Sequence, residues 1–273
     1  MSFNNFRKII DEIGAYLYRV DLHNWGEPLL NDELYKMIAY ARSHDIQVRV
    51  SSNLNGIDRT KAEKLVKSGL DVLIVSLDGA SQETYAQYRV GGRFNKVTSG
   101  IKMINELKKE LNVSKPSIVW QFLVMKHNEN EILKAKRMSR ELGVDELDFL
   151  AIHCDMGREI FWDRKTRFEK TANWLPRNKE FRMYNLATGE KKNRPKTCNF
   201  LWAQSAINWN GSVSPCCASY DEKYDFGNTF EINFKDVWNN DKYRQARRIV
   251  QSKKTGKNDR LIVCYYCVKN GFI

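Results

Sequence analysis

The fold is decided by a short apolar run that ends in small polar residues, Val72-Leu73-Ile74-Val75-Ser76-Leu77-Asp78-Gly79. Four consecutive branched aliphatic residues, bounded by a turn signal, are typical of a buried β-strand. The Asp-Gly pair that follows favours a tight turn, so the strand is predicted to stop near residue 76. The run is one of several that alternate with segments of helical periodicity.

This alternation extends from the first residue to about Cys154 and is the mark of β/α units with a parallel sheet. Helices are predicted over residues 3–16, 32–43, 59–68, 82–88, 95–111 and 129–142, and strands over 18–22, 47–51, 72–75, 118–124 and 146–152. The fold class is therefore α/β, with parallel strands that form an incomplete β/α barrel of the TIM type.

Small or polar residues follow every predicted strand. The stretches concerned are Trp25-Gly26-Glu27-Pro28, Ser52-Asn53-Leu54-Asn55-Gly56, Ser76-Leu77-Asp78-Gly79, Lys126-His127-Asn128 and His153-Cys154. An ordinary turn explains each stretch taken alone, and a lone histidine at a strand end is more often structural than catalytic. In β/α barrels, however, functional residues gather at the carboxyl ends of the strands, so the series predicts a binding site.

Five of the six cysteines lie in the last third of the chain, at Cys198, Cys216, Cys217, Cys264 and Cys267. A CxxC pair aims two sulfurs at one point, and soft thiolates are ligands for zinc or an iron-sulfur cluster. A hairpin with a turn at Gly211 is predicted to carry Cys216 and Cys217, and one helix is predicted over 234–249. The isolated Cys154 follows His153 directly, and neighbouring strand residues point to opposite faces, which disfavours a catalytic pair.

Composition limits the class of protein. The chain of 273 residues has 45 Lys and Arg against 33 Asp and Glu, a formal charge of +12. This excess favours anionic partners and makes nucleic acid possible but not favoured, because no nucleic-acid-binding motif accompanies it. The N-terminus lacks the apolar run of a secretory signal, and no stretch is apolar enough for a membrane span, so a cytoplasmic protein with reduced thiols is expected.

Together these motifs resemble the radical S-adenosylmethionine (SAM) superfamily, with a C-terminal part similar to its SPASM or twitch iron-sulfur domains. Gly26-Glu27-Pro28 resembles the GEP motif, Ser52-Asn53 the residues after the next strand, and Ser76-Leu77-Asp78-Gly79 the SxDG turn. Tyr88-Arg89 and Gly91-Gly92-Arg93-Phe94 resemble the segment downstream. The resemblance implies domains over residues 1–154 (partial barrel), 155–197 (connector or insertion) and 198–273 (auxiliary cluster).

The resemblance also implies site residues and cofactors. SAM would be bound by the backbone around Gly26, Glu27 and Pro28 and by Ser52 and Ser76, with Asn53 and Asp78 shaping the pocket. One auxiliary 4Fe-4S cluster would be held by Cys198, Cys216, Cys264 and Cys267, with Cys217 as a neighbour or substitute. Zinc fits four thiolates equally well, so both metals stay open.

One departure from the family is large. Radical SAM enzymes hold their catalytic cluster on a CxxxCxxC loop, and no cysteine precedes Cys154. We expect an N-terminally shortened form of an enzyme that uses a SAM-derived 5'-deoxyadenosyl radical, supported by a reductant, to modify a peptide, protein or small molecule. As written, it is expected not to cleave SAM. The alternatives are a non-catalytic iron-sulfur or zinc module whose basic surface binds an anion such as RNA, and a zinc-stabilised structural protein.

Overall fold

The computed structural model describes residues 1–153, 160–161, 163–193 and 195–273, so Cys154 lies outside the described residues. The chain forms two compact units. The sheet unit comprises residues 13–152 and 176–181, and the cysteine unit comprises 1–12, 153–175 and 182–273. The predicted division at residues 154 and 197 stays a prediction.

The elements alternate as the sequence predicts. The strands are β1 (Arg19–Asp21), β2 (Gln47–Ser52), β3 (Val72–Ser76), β4 (Ser117–Val124), β5 (Glu146–Ala151), β6 (Ala206–Ile207), β7 (Ser212–Ser214) and β8 (Gly227–Asn228). The helices are α1 (Phe3–Ile13), α2 (Leu34–Arg42), α3 (Arg59–Lys67), α4 (Gln82–Tyr88), α5 (Phe94–Glu110), α6 (Ile132–Leu142), α7 (Arg164–Thr171), α8 (Phe200–Ala203), α9 (Phe234–Trp238), α10 (Asp241–Ser252) and α11 (Val263–Lys269).

Strands β1 to β5 form one sheet in the order β1-β2-β3-β4-β5, and every neighbouring pair is parallel. Sequential parallel strands with helical crossovers are the arrangement from which a β/α barrel is built. The observed sheet confirms the predicted α/β class with an incomplete barrel. It also brings the carboxyl ends of all five strands to one edge.

The two faces of this sheet differ in burial. In β2, Val48, Val50 and Ser52 are buried, whereas the alternate residues, including Arg49 and Ser51, are half-buried. Strand β4 alternates in the same way. We call the less buried side of the sheet the open face. Residues in register on parallel strands share a face. The open face therefore carries Ser76, Gln121 and Asp148, which are in register across β3, β4 and β5, and it also carries Ser51.

The buried face holds the core of the sheet unit. Trp120 on β4 is fully buried, and its indole N–H donates to the Leu77 carbonyl oxygen at 2.7 Å. A buried indole needs such a partner, because an unpaired N–H in the core costs about 1–3 kcal/mol. Each fully buried apolar side chain of this unit contributes about 1.5–3 kcal/mol. These fully buried residues include Ile38, Val48, Val50, Leu65, Leu73, Ile104, Ile118 and Phe122.

The cysteine unit contains the predicted hairpin. Strands β6 and β7 are antiparallel, and β8 adds to β7. The turn requires Gly211, which has a φ of +84° and lies so close to Asn228 and Phe230 that a Cβ would collide with both. The hairpin is confirmed, and it leads directly to Cys216.

The prediction of one helix over 234–249 is wrong, because the chain forms two helices, α9 and α10. The break falls at Asn239 and Asn240. The side chain of Asn240 accepts a hydrogen bond from the Tyr243 backbone N–H at 3.0 Å and donates to the Phe226 carbonyl oxygen at 2.7 Å. Asparagine is a favoured N-cap residue, and here it starts a second helix.

Among the described residues, no helix is both long enough and apolar enough to cross a bilayer. The expected cytoplasmic location stays a prediction.

We expect Asp71→Asn to lower the free energy of unfolding by about 1–3 kcal/mol at pH 7. The Asp71 carboxylate is buried, forms ion pairs with Arg42 (3.2 Å) and Lys115, and accepts the Val48 backbone N–H at 2.8 Å. Burial opposes ionisation, but Lys115, the Val48 N–H and Arg42 outweigh it and hold the pKa of Asp71 below its ordinary value.

Because the folded-state pKa is lowered, this stabilisation is present above the unfolded pKa of about 3.9 and is lost as the pH falls through the folded value. Urea unfolding at pH 7 and pH 3 should therefore show a smaller difference between wild type and variant at pH 3. The exposed Asp32→Asn is the control. A difference that stays constant with pH would contradict the assignment.

Candidate functional site

The Glu27 carboxylate joins the loops that follow β1 and β2. Oε1 accepts hydrogen bonds from the Leu29 backbone N–H (3.1 Å) and the Ser52 hydroxyl (2.7 Å). Oε2 accepts the Asn53 backbone N–H at 2.8 Å. Gly26 precedes it with a φ of +114°, and Pro28 begins a short 3-10 turn over Pro28–Leu30. With three donors bound, Glu27 fixes the shape of this edge of the sheet.

Ser52 serves this same network. Its side chain is buried, and its hydroxyl donates to Glu27 and accepts the Leu54 backbone N–H at 3.0 Å. The hydroxyl that lies on the open face belongs to the preceding residue, Ser51, whose Oγ is 3.4 Å from Oγ of Ser76. Ser51 was not among the predicted site residues, although strand alternation from Val48 and Val50 places it on this face.

His23 contacts the backbone of Ser51 and was also missed. Its Nδ1 is 3.1 Å from the Ser51 backbone nitrogen, whose N–H it accepts. An accepting Nδ1 leaves the proton of a neutral imidazole on Nε2. Burial lowers the pKa of His23, Asp21 opposes this shift, and Arg49 and Arg19 add to it. His23 is therefore a neutral donor at physiological pH.

Asn53 connects the β2 loop to the segment around α4. Its Oδ1 accepts the Asn55 backbone N–H at 2.8 Å. The Asn55 amide then donates to the Tyr85 hydroxyl at 2.9 Å, and its Oδ1 accepts the Arg93 backbone N–H at 2.7 Å. The family-like segment 88–94 is thus tied to the strand-end loops by hydrogen bonds.

Asp78 is fully buried and has both oxygens engaged. Oδ2 pairs with Arg89 Nε at 2.6 Å, and Oδ1 accepts the Leu123 backbone N–H at 2.7 Å. Burial raises the pKa of the Asp78 carboxyl, and the Arg89 guanidinium opposes that rise. The Asn128 amide donates to the Asp78 carbonyl oxygen at 3.1 Å, so Asn128 is a structural residue of this turn.

Two glycines allow Tyr85 to pack against this turn. A Cβ on Gly79 would lie 2.6 Å from the Tyr85 nitrogen, and a Cβ on Gly92 would lie 2.6 Å from the Tyr85 ring. Real Cβ atoms do not approach so closely, so both positions require glycine.

The structure therefore gathers Gly26, Glu27, Pro28, Ser52 and Asn53 into one pair of loops through the Glu27 hydrogen bonds. Ser76 and Asp78 lie at and just beyond the end of β3, the strand that pairs with β2. The binding roles of these seven residues stay predictions. His127, to which no role was given, is half-buried near Asp78 and Glu131, and burial lowers its pKa.

Five cysteines belong to the described part of the other unit, and three of them, Cys198, Cys264 and Cys267, lie in or against its apolar core. Cys264 is buried, Cys198, Cys216 and Cys267 are half-buried, and Cys217 is exposed. Burial raises the pKa of the Cys216 thiol to about 12, with Cys217 and Cys198 adding to the shift. Burial also raises the pKa of Cys264, and Cys216 and Cys198 add to it.

The Cys198, Cys216 and Cys264 thiols are thus close enough for their charges to affect one another. Cys267 lies on α11 three residues after Cys264, and residues at this spacing share one side of a helix. Within the described ranges, no three His, Cys, Asp or Glu side chains surround a point that could hold one metal ion.

Zinc requires four donors within about 2.0–2.3 Å of one centre, whereas a 4Fe-4S cluster takes one thiolate at each iron and keeps its sulfurs farther apart. The thiols of this unit suit either group by their chemistry. The four-cysteine ligand set itself stays a prediction.

In the metal-free protein at pH 8, we expect iodoacetamide to label Cys217 at least tenfold faster than Cys216 or Cys264. The thiolate is the reactive form, and a thiol with a pKa of about 12 is ionised to only about one part in ten thousand at this pH. Peptide mass mapping over time measures the rates, with protein in guanidinium chloride as the control. Equal rates in the folded protein would contradict this burial.

Comparison with known proteins gives two family matches. The Radical SAM superfamily matches residues 1–138, and SPASM, an iron-sulfur cluster-binding domain, matches residues 198–268. A tungsten-containing aldehyde ferredoxin oxidoreductase cofactor-modifying protein of Pyrococcus furiosus is 22% identical, over 92% of this chain and 76% of the relative. A probable GTP 3',8-cyclase of Methanococcus maripaludis is 30% identical, over 87% of this chain and 81% of the relative.

An AdoMet-dependent heme synthase of Methanosarcina barkeri is 26% identical, over 64% of this chain and 49% of the relative, so the chain spans about half of that protein.

Solved structures share the fold. The anSMEcpe protein with bound AdoMet superposes with a TM-score of 0.60 at 17% identity, over 98% of this chain and 81% of that one. Streptococcus suis SuiB bound to S-adenosylmethionine gives a TM-score of 0.62 at 14% identity, over 96% of this chain and 63% of that one. The first family match covers half of the 273 residues. The chain belongs to the radical SAM superfamily and carries a SPASM iron-sulfur cluster-binding domain.

Proposed function

We propose that this chain binds SAM at the strand-end loops of its sheet unit and holds one auxiliary 4Fe-4S cluster in its cysteine unit, as part of a radical SAM enzyme that modifies a peptide or protein. The observation that carries the proposal is the hydroxyl pair of Ser51 and Ser76, 3.4 Å apart on the open face at the carboxyl ends of β2 and β3.

The chemistry of SAM matches the groups at this edge. The ammonium of SAM needs hydrogen-bond acceptors, and its carboxylate needs hydrogen-bond donors. The ribose hydroxyls can use both. Ser51 and Ser76 would donate to the carboxylate or ribose, and the Nε2–H of His23 would supply a further donor. The Glu27 oxygens already accept three hydrogen bonds, so the ammonium would be received by backbone carbonyls around Gly26.

In this proposal Ser51, and not the predicted Ser52, contacts SAM. The Ser52 hydroxyl already has a donor and an acceptor within the loops, and Ser51 presents its oxygen to the open face. Asn53 and Asp78 would keep their predicted role of shaping the pocket, through Asn55 and Arg89.

The auxiliary cluster would be held by Cys198, Cys216, Cys264 and Cys267. In the family reaction SAM supplies a carbon radical that removes a hydrogen atom from the substrate, and an auxiliary cluster supplies a site for substrate binding or electron transfer. The residues of this chain would contribute a water-poor core around the thiols and donors that orient SAM on the open face.

A peptide or protein substrate is favoured by two fold neighbours. SuiB is known bound to the precursor peptide SuiA, with a TM-score of 0.59 at 15% identity, and anSMEcpe bound to the Kp18Cys peptide, with a TM-score of 0.58 at 18% identity. A small molecule is the second candidate, supported by the probable GTP 3',8-cyclase that matches 87% of this chain.

Ser51→Ala and Ser76→Ala should each weaken SAM binding about ten- to hundredfold, because each removes a hydrogen bond to a charged group worth about 1.5–3 kcal/mol. Isothermal titration calorimetry of SAM into anaerobically purified protein measures the effect. Ser117→Ala is the matched control, since Ser117 is half-buried on the same face at the opposite end of β4. If both site variants bind SAM as tightly as the Ser117 variant, the proposed pocket is wrong.

Anaerobic reconstitution with iron and sulfide should load about four iron atoms per chain through Cys198, Cys216, Cys264 and Cys267. The double variant Cys264→Ala, Cys267→Ala should lose this iron and its brown chromophore. The Cys217→Ala variant should keep both, because the exposed Cys217 is outside the proposed ligand set. Iron counting and electron paramagnetic resonance measure the outcome. One bound zinc and no iron would refute the cluster.

A further inference from the structure

A basic loop over residues 253–260 connects α10 to the CxxC helix α11. It exposes four basic side chains, those of Lys253, Lys254, Lys257 and Arg260. Among the described residues, none of these four side chains forms an ion pair or a hydrogen bond with another residue. Four unneutralised cations within eight residues make a strongly positive surface.

The loop is held in place by its one acidic residue. Asp259 is buried and accepts hydrogen bonds from the Gly256 backbone N–H (2.7 Å), the Gln245 amide (2.6 Å) and Arg248 (2.6 Å). The Asp259 carboxylate therefore pairs with Arg248 and with the loop backbone. The four exposed cations are therefore presented from a fixed support, next to a shallow concavity of about 450 Å³.

The loop leads directly to the thiols. Ile262 caps α11, and the Tyr265 N–H donates to the Ile262 carbonyl oxygen at 2.9 Å. Cys264 follows Arg260 by four residues, so their Cα atoms are at most about 14 Å apart. A partner seated on the basic loop would lie close to the proposed cluster.

One exposed apolar residue indicates the kind of partner. Leu261 is 66% exposed beside Arg260, which gives an apolar contact with a charged rim. The loop has no aromatic side chain on which a nucleic acid base could stack. Small, charge-steered surfaces of this type suit the transient complexes of electron-transfer proteins.

We propose that the basic loop is the docking surface for an acidic one-electron carrier protein. The inference rests on the proposed function, because the electron would pass to the cluster held by the nearby thiols. The carrier's reduced flavin would go from hydroquinone to semiquinone, losing one electron, and the oxidised cluster would gain it. No bond is made or broken in this step.

The test uses the full chain and a purified acidic bacterial flavodoxin as the probe. Binding is measured by fluorescence anisotropy at several salt concentrations, on cluster-free and cluster-loaded protein. The triple variant Lys253→Glu, Lys254→Glu, Lys257→Glu should weaken flavodoxin binding at least tenfold and flatten its salt dependence. The control triple variant Lys96→Glu, Lys102→Glu, Lys109→Glu, on exposed positions of α5, should stay within about twofold of wild type.

Wild-type protein that binds no flavodoxin at low salt, or a loop variant that binds as tightly as wild type, overturns the proposal. Tighter binding of single-stranded RNA than of flavodoxin to the same loop also overturns it. Thermal unfolding midpoints verify that both triple variants are folded. Iron content is counted separately, so that a failure of the proposed cluster is recognised. If flavodoxin binds to a chain that loads no iron, the electron-transfer role is overturned and only the docking surface is supported.

Discussion

The structure of the site depends on one half-buried set of hydrogen bonds, those accepted by the Glu27 carboxylate. A carboxylate that receives two backbone N–H groups and a hydroxyl is held far more firmly than one that faces water. It locks the loop after β1 to the loop after β2. Because Ser51 lies directly before the locked Ser52, its hydroxyl is fixed on the opposite face, next to Ser76.

Much of this architecture was predictable from sequence, since apolar runs and helical periodicity report burial directly. All five parallel strands were predicted within two residues of their observed ends, and so was the hairpin at Gly211. The break at Asn239 and Asn240 was not, because the apolar spacing of Val237, Tyr243 and Ile249 continues across it. Periodicity cannot reveal that the Asn240 side chain caps the second helix and donates a hydrogen bond to the Phe226 carbonyl oxygen.

Site residues were harder to predict, because a motif does not report the contacts that each side chain makes. Motifs identify which residues stand at a strand end, but the role of each depends on which side of the strand it occupies. Ser51 and Ser52 are chemically identical and adjacent, and their roles separate only through the Glu27 contact. His23 was missed because its role comes from a backbone N–H of β2, which no side-chain pattern reports.

Thiolates in the cysteine unit would carry a free-energy cost, because an apolar core disfavours charged groups. Arg247 lies at the border of this core, with its guanidinium 5.0 Å from the Trp238 ring centre and 5.1 Å from that of Tyr243. Burial raises the pKa of the Tyr243 hydroxyl, and Cys216 and Cys264 add to this rise. A half-buried cation beside this ring would offset part of the negative charge that four thiolates would bring.

The contact of Gly79 and Gly92 with Tyr85 has a consequence for how this protein can change over generations. A side chain at Gly79 would meet the backbone of Tyr85, and one at Gly92 would meet both the Tyr85 ring and the Arg89 carbonyl oxygen. Because backbone atoms block both positions, descendants of this chain are expected to keep the two glycines even where the tyrosine changes.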